Sequence, residues 1–287
     1  MTKEQALQWE AKWARPAALA AFFAAVLLIA QIVLLQTVIE DRPRIEAIPD
    51  FLLSVDENPA MLIGSRAAQA VAALLIAGIF YYLFRALQTR EAGVPSWFVY
   101  LILLGPVLYA IGIVSGALGQ VDVAHDFADG TPIEGKTGDD RAENLLEDNA
   151  SAAVFGINFA GQVVTAFLFV MLPLRARRVG LMSPFMGILG VVTGALLVLQ
   201  IVPVVPVIIQ AFWLGALGSL FLGNWPGGRG PAWETGEAEP WPTPQRRRGE
   251  PPPDSNGQGG SLLGPSNGQE PEPVPERPSS RKRRRNR

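Results

Sequence analysis

The sequence contains no cysteine and a single histidine, His125, among its 287 residues. The absence of cysteine excludes disulfides, thiolate nucleophiles and thiolate metal ligands. A zinc site built from several histidine or cysteine ligands is therefore impossible within one chain. No other catalytic or cofactor motif stands out, so the sequence predicts no cofactor and no enzymatic activity.

Charged residues are also scarce: they make up 17% of the chain, against about 25% in typical soluble domains. Long apolar runs take their place. A helix needs about 20 apolar residues to cross roughly 30 Å of hydrocarbon, where the backbone must satisfy its own hydrogen bonds. The apolar runs are 17–39, 67–87, 97–118, 152–174, 184–202 and 207–222. They predict an all-α, polytopic membrane helix bundle with six transmembrane helices, within residues 17–224.

The helix count depends on the last two runs. Only Pro203-Val204-Val205-Pro206 separates them, and the two prolines interrupt a continuous helix. This pattern predicts a tight helical hairpin. The alternative is one bent segment, which leaves five spans.

Basic residues predict the orientation, because cytoplasmic loops carry an excess of lysine and arginine. The segments before the first run, between the second and third (counting Arg85), between the fourth and fifth, and after the sixth together hold 19 of the 24 basic residues. The segments on the opposite side hold the other five. Both ends are therefore predicted to be cytoplasmic, with the acidic loop 119–150 facing outward. Arg66 and Arg85 bracket the second run, about 28 Å apart along a helix, so each is expected to reach an interface.

The two ends of the chain differ from the apolar region. Residues 1–16 contain Trp9 and Trp13 with basic neighbours, and Thr2 with Gln5 fits a capping box. We expect a short helix in the cytoplasmic interface; the alternative is a solvated extension of the first span. Residues 225–287 hold 13 of the 24 prolines and too few apolar residues to fold, which predicts a disordered tail.

Small residues recur at four-residue spacing in two of the predicted spans. The pairs are Gly112 with Gly116 and Gly190 with Gly194. Such pairs let helices approach closely. We expect them to pack within one bundle, with a homo-oligomer interface as the alternative.

Polar residues inside the predicted spans are mostly amides. They are Gln31, Gln36, Gln69, Asn158, Gln162, Gln200 and Gln210. Asn158 and Gln162 lie on one helical face, where they either line a polar path or bond a neighbouring helix; the second interpretation is favoured. No charged residue lies near the middle of a span, which argues against a proton-coupled pump.

Two charged clusters lie outside the spans. Asp122, His125, Asp126 and Asp129 have spacings of three and four, so one helical turn would gather ligands for a divalent cation. We favour a solvated acidic loop instead. The terminal run is Arg281, Lys282, Arg283, Arg284 and Arg285. It is suited to anionic lipid headgroups, or it serves only as a topological signal; nucleic acid is an unfavoured partner.

Segments 174–187, 223–228 and 231–242 resemble a group of uncharacterised multipass membrane proteins of actinobacteria. The resemblance covers about the second half of the chain, and its tryptophan-proline stretch, Trp233 to Trp241, is the most specific part. It implies a bacterial plasma membrane and carries no activity. It also suggests that this stretch lies against the cytoplasmic face, although its composition fits a disordered linker equally well.

The sequence thus predicts an integral membrane protein with a structural or regulatory role, exerted through partner proteins or through the lipid bilayer. The alternative is a small-molecule or ion permease whose path includes Asn158 and Gln162. A second alternative is a membrane enzyme that acts in the outward loop.

Overall fold

The structure, a computed structural model, describes residues 2–39, 48–91, 93–130, 138–199 and 204–242. Every regular element in this part of the chain is an α-helix, with no β-strand among the described residues, so the all-α prediction is confirmed. The helices are α1 (Lys3–Ile39), α2 (Ile48–Glu57), α3 (Pro59–Gln88), α4 (Phe98–Ala128), α5 (Gly138–Asp148), α6 (Ala152–Arg178), α7 (Pro184–Leu199), α8 (Val204–Phe221) and α9 (Pro231–Thr235).

Five helices, α1, α3, α4, α6 and α8, are long and apolar enough to cross a membrane. Each corresponds to one predicted span, and the prediction of apolar membrane-crossing helices is confirmed for them. Helix α7, at the fifth predicted span, is apolar but has only 16 residues. Residues 200–203 lie outside the described residues. They include the end of the fifth run and the start of the predicted proline turn. Large apolar side chains cover the outer surface of the bundle, among them Leu19, Val26, Tyr100, Leu104, Ile188 and Phe212.

The six apolar helices pack in chain order, each antiparallel to the one before it, and α8 packs back against α1 to close a ring. Near one end of α3, the Ser65 hydroxyl donates to the Gln31 carbonyl of α1 at 3.0 Å. Near the other end, the Tyr82 hydroxyl donates to the Glu10 carbonyl at 3.1 Å. The start of α1 and the ends of α3, α6 and α8 therefore share one face, here called the terminal face. The opposite end is called the distal face.

Glycines allow α4, α6 and α7 to approach one another closely. A Cβ at Gly112 would lie 2.5 Å from the Cα of Asn158 on α6. A Cβ at Gly190 or Gly194 would lie 2.6 Å from an atom of α6, whereas one at Gly116 would meet open space. Three of the four glycines identified from their spacing are thus used in contacts within the bundle.

Residues 225–242, here called the clasp, fold over the terminal face. Trp233 is buried, and its indole N–H donates to the Leu181 carbonyl at 2.9 Å. The Ala232 carbonyl accepts two bonds from the Arg90 guanidinium, at 2.9 and 2.7 Å. The predicted disorder of 225–287 is therefore wrong for residues 225–242, because contacts with distant parts of the chain offset the entropy of ordering them. Residues 243–287 lie outside the described residues.

A buried ion pair joins the clasp to the rest of the terminal face. Arg90 donates to both carboxylate oxygens of Glu10, at 2.6 and 2.8 Å, and neither side chain is more than 3% exposed. The Arg90 guanidinium also lies over the Trp233 ring, 5.5 Å from its centroid. The Tyr82 ring stacks on Trp9 and on Trp233, with centroids 5.6 and 5.7 Å apart. Aromatic stacking and a paired buried charge therefore close this face of the bundle.

The N-terminal segment does not form a separate short helix; within residues 2–16 it extends the first predicted span, which was the alternative. Helix α1 is continuous through Pro16 into the first predicted span. Buried Glu10, paired with Arg90 and bonded through its carbonyl by Tyr82, holds the segment in line with the rest of α1. The predicted capping box is present, because Thr2 N–H donates to the Gln5 side chain at 2.9 Å and Gln5 N–H donates to the Thr2 hydroxyl at 3.3 Å.

The predicted outward loop 119–150 is largely helical, which corrects its assignment as a loop. Helix α4 continues to Ala128, and α5 follows at Gly138–Asp148; residues 131–137 lie outside the described residues. Together with α2 and the start of α3, these helices bury a small apolar cluster on the distal face, made of Leu52, Val55, Leu62, Val123, Ala124, Phe127, Ala142 and Leu145. Amphipathic packing thus orders a segment whose high charge predicted a loop.

We expect Gly112→Ala to destabilise the bundle, because its new Cβ meets backbone atoms of α6 that cannot rotate away. Overpacking of this kind costs about 1–3 kcal/mol. Thermal unfolding of the detergent-solubilised protein measures the effect. Gly116→Ala on the same helix is the matched control and should leave the melting temperature unchanged or slightly higher, because alanine favours helix. Equal melting temperatures for the two variants would contradict the close approach of α4 and α6.

Glu10→Ala should destabilise the terminal face strongly, because it leaves the Arg90 guanidinium buried without its partner. Removing one member of a buried ion pair costs about 3–5 kcal/mol. The comparison is Glu237→Ala, which removes an exposed carboxylate whose pKa is held below its usual value by a hydrogen bond from Lys3. Thermal unfolding at neutral pH should separate the two variants clearly. A melting temperature that falls equally in both would show that the Glu10 pair is not buried as described.

Candidate functional site

Asn158 and Gln162, predicted from their spacing on α6, have different surroundings in the structure. The Gln162 amide donates to the Leu197 carbonyl of α7 and is buried. Asn158 lies against Gly112 of α4 and lines a small pocket. The two side chains therefore do not line one path: Gln162 joins two helices, and Asn158 borders a space between two others.

A cavity of about 510 Å³, here called the central cavity, lies in the distal half of the bundle. This volume is in the range of small-molecule sites, about 300–1,000 Å³. All six apolar helices contribute to its wall. Its polar lining residues are Gln31, Gln36, Arg66, Gln69, Tyr109, Thr165 and Gln210, and its apolar ones include Leu28, Ile32, Leu35, Ile76, Leu197 and Val207. The ring of helices thus encloses a space with both polar and apolar walls.

Arg66 is the charged residue in the lining of the central cavity. Its guanidinium donates to the Gln69 side-chain oxygen at 3.2 Å, and the Gln69 amide nitrogen donates to the Tyr109 hydroxyl, also at 3.2 Å. No carboxylate pairs with Arg66 among the described residues. Since a guanidinium has five N–H donors, most of its hydrogen-bonding capacity is available to a molecule in the cavity.

Two glutamines face the same cavity from α1 and α8. Gln31 and Gln210 are each 6% exposed, and both line the cavity. Neither side-chain amide has a hydrogen-bond partner among the described residues. Their amide atoms are open to the cavity and are not sealed in the protein, so they can bond water or a polar ligand there.

A side pocket of about 250 Å³ adjoins the central cavity and shares Arg66, Gln69 and Tyr109 with it. Asn158 and Gln120 line the side pocket between α4 and α6. The Gln120 side-chain oxygen is buried and has no hydrogen-bond partner. Arg66 therefore stands where two polar spaces meet.

Three aromatic side chains, here called the aromatic layer, close the central cavity toward the terminal face. They are Phe80, Phe169 and Trp213, all fully buried. Their ring centroids lie 4.8 Å apart for Phe80 and Phe169 and 5.2 Å apart for Phe169 and Trp213. The Trp213 indole donates to the Met186 carbonyl at 3.0 Å, which fixes its ring. The cavity thus belongs to one half of the bundle only.

The acidic cluster on the distal face is arranged differently from the predicted cation site. His125 lies 3.2 Å from the Asp56 carboxylate of α2 and 3.4 Å from that of Asp129. Across the described ranges, no three histidine, aspartate or glutamate side chains come close enough to hold a metal ion together. The candidate ligands Asp122 and Asp126 are therefore not gathered with His125 into a metal site there. The other candidate cluster, Arg281 to Arg285, lies outside the described residues.

The sequence contained partial signals for the central cavity. Gln31 and Gln210 stand out as amides inside apolar runs, but nothing local connects residues 179 positions apart. Arg66 was expected to reach the interface, and the structure places it in the cavity wall, with Gln69 three residues further along α3. An arginine next to a predicted span with a glutamine at i+3 is the local signal that could have indicated the site.

Comparison with models of protein families, with curated proteins and with solved structures gives no match to this chain.

Proposed function

We propose that the protein crosses a bacterial plasma membrane six times, with both ends in the cytoplasm, and that it binds a small solute in the central cavity. This assigns it a permease-type role, which the cavity favours over a purely structural or regulatory one. A structural role requires only a close-packed bundle, whereas here polar groups converge on an unfilled space. The alternative of an enzyme in the outward loop has no comparable observation in its favour among the described residues.

The packing of α7 supports the sixth crossing. This helix is about 24 Å long at 1.5 Å per residue, somewhat short for a span. It nevertheless runs antiparallel to α6 along its length, with Gly187 against Arg177 and Gly194 against Ala166. The start of α1 and the clasp after α8 contact each other on one face, as in the ion pair of Lys3 with Glu237. The contact of these two segments on one face supports an even number of crossings between them.

The charge distribution supports the orientation. The terminal face carries Lys3, Lys12 and Arg15 before the first apolar run, and Arg175, Arg177 and Arg178 after the fourth. The acidic helices α2 and α5 occupy the distal face. Under the positive-inside rule, the terminal face is cytoplasmic, and the central cavity belongs to the outer half of the protein. The bacterial location rests on the resemblance of the second half of the chain.

The single observation that carries the proposed function is that the Arg66 guanidinium and the unbonded side-chain amides of Gln31 and Gln210 line one cavity. Membrane interiors rarely leave polar groups without partners. Their convergence from three helices is the arrangement expected of a binding site.

Cysteine labelling is well suited to the topology, because the natural chain has no cysteine. In intact cells, a membrane-impermeant maleimide should label Asp139→Cys on α5 and should not label Glu237→Cys in the clasp. Disrupting the cells should make the second position reactive. Labelling of Glu237→Cys in intact cells would overturn the cytoplasmic assignment of the terminal face.

The same approach tests access to the central cavity. A small, charged, impermeant thiol reagent applied from outside should modify Ala73→Cys and Gln210→Cys, which line the cavity. It should not modify Leu104→Cys on the exposed apolar surface or Leu83→Cys in the buried terminal half. If both cavity positions stay unmodified while the fold is retained, the proposed binding of solute from outside is wrong.

A further inference from the structure

The charge of the central cavity determines which ligands it accepts. Arg66 brings a positive charge into a partly apolar space, and no described carboxylate neutralises it. A cation in such surroundings is costly unless an anion or several strong acceptors reach it. A second cation would be repelled, and a neutral ligand would leave the charge unpaired. The electrostatics of the cavity therefore favour an anion.

The hydrogen bonds around Arg66 fix the direction in which it donates. The Tyr109 hydroxyl accepts from the Gln69 amide nitrogen, and this contact turns the Gln69 oxygen toward Arg66. Arg66 uses one terminal nitrogen in that bond, which leaves its other donors free to act as a planar fork. That geometry matches a carboxylate or phosphate, which accepts two parallel N–H bonds.

The rest of the cavity wall is suited to hydrocarbon. Leu28, Ile32 and Leu35 of α1 face Val207 of α8 and Ile76 of α3 across it. A small inorganic anion would leave this wall in contact with water, at an unfavourable free energy. A ligand with an anionic head and an apolar chain covers both parts of the lining.

We infer that the central cavity binds an amphipathic monoanion, with its carboxylate or phosphate head on Arg66 and its hydrocarbon chain along α1 and α8. This inference rests on the proposed function and specifies its ligand class. The buried amides of Gln31 and Gln210 are available to polar atoms next to the head. The same chemistry occurs in free alkyl carboxylates and in the headgroup region of anionic phospholipids, and the experiment separates these two sources.

The experiment measures ligand-induced stabilisation of the full chain in phosphatidylcholine nanodiscs. Decanoate and the phosphodiester methyl decyl phosphate are the monoanionic probes, and decanol and decyltrimethylammonium are the neutral and cationic controls of equal chain length. A ligand that binds only the folded state raises the melting temperature in a saturable way. We expect a rise of several degrees with the two anions and little or none with the two controls.

Arg66→Gln should abolish the rise with decanoate, whereas Arg178→Gln, which removes an exposed cation from the end of α6, should retain it. The free Arg66→Gln protein should melt at the same temperature as the natural protein or higher, because an unpaired charge in a partly apolar cavity has been removed. A purely structural role for Arg66 would instead lower that temperature. Arg66→Lys keeps the charge without the fork, and its half-saturating decanoate concentration should rise about tenfold, which provides a measurement if Arg66→Gln does not fold.

Nanodiscs that contain phosphatidylglycerol identify the source of the ligand. If the lipid occupies the cavity, phosphatidylglycerol raises the melting temperature of the natural protein but not of Arg66→Gln, and decanoate adds little. If the natural ligand is a free carboxylate, phosphatidylglycerol has no effect and decanoate retains its full effect. Either result supports an amphipathic monoanion on Arg66.

Equal stabilisation by decanoate and decanol, or an undiminished decanoate effect in Arg66→Gln, would overturn the inference. The proposed function would survive that result if Ala73→Cys and Gln210→Cys still react from outside. Failure of the thiol reaction at both positions would overturn the proposed function itself, so the two failures are distinguishable.

Discussion

Hydrocarbon offers no hydrogen bonds, and this constraint determines the structure from the backbone to the site. It forces the apolar runs into helices, and it requires polar side chains within them to find partners in the protein. Gln162 donates to the Leu197 carbonyl, and Trp213 donates to the Met186 carbonyl. Against this background, the amides of Gln31 and Gln210 are exceptions. The buried Gln120 oxygen in the side pocket is another exception, so the unbonded amides of α1, α4 and α8 all lie in the two spaces that Arg66 shares.

Run length alone predicted most of the membrane-crossing helices, because that property is local and follows from the thickness of the bilayer. Composition alone predicted disorder for the clasp, because its contacts are long-range, and only the resemblance suggested that Trp233 to Trp241 lies against a face of the bundle. Trp233 bonds a carbonyl 52 residues away, and Ala232 accepts from Arg90, 142 residues away. No window of sequence contains both members of either pair. The helical parts of 119–150 were missed for a related reason, because their small apolar faces stabilise these helices only when they pack against one another.

The candidate site shows the same limit. Spacing on one helix suggested that Asn158 and Gln162 belong together, and the direction in which each side chain points is set by different neighbours. One meets the glycine of α4, and the other reaches a carbonyl of α7. The residues that do converge, Gln31, Arg66 and Gln210, come from three helices. Their meeting depends on the order in which helices close the ring, which periodicity within a single helix does not encode.

Helix α3 links the two halves of the molecule. Arg66 lies in the central cavity, Tyr82 stacks between two tryptophans at the terminal face, and Arg90 follows the end of the helix. At 1.5 Å per residue, the 24 positions from Arg66 to Arg90 span up to about 36 Å. In the proposed permease, passage of a solute through the terminal face would require the aromatic layer to part and the buried Arg90–Glu10 pair to separate, which is costly. The clasp therefore contributes to the barrier that closes the terminal half, while the distal half contains the cavity.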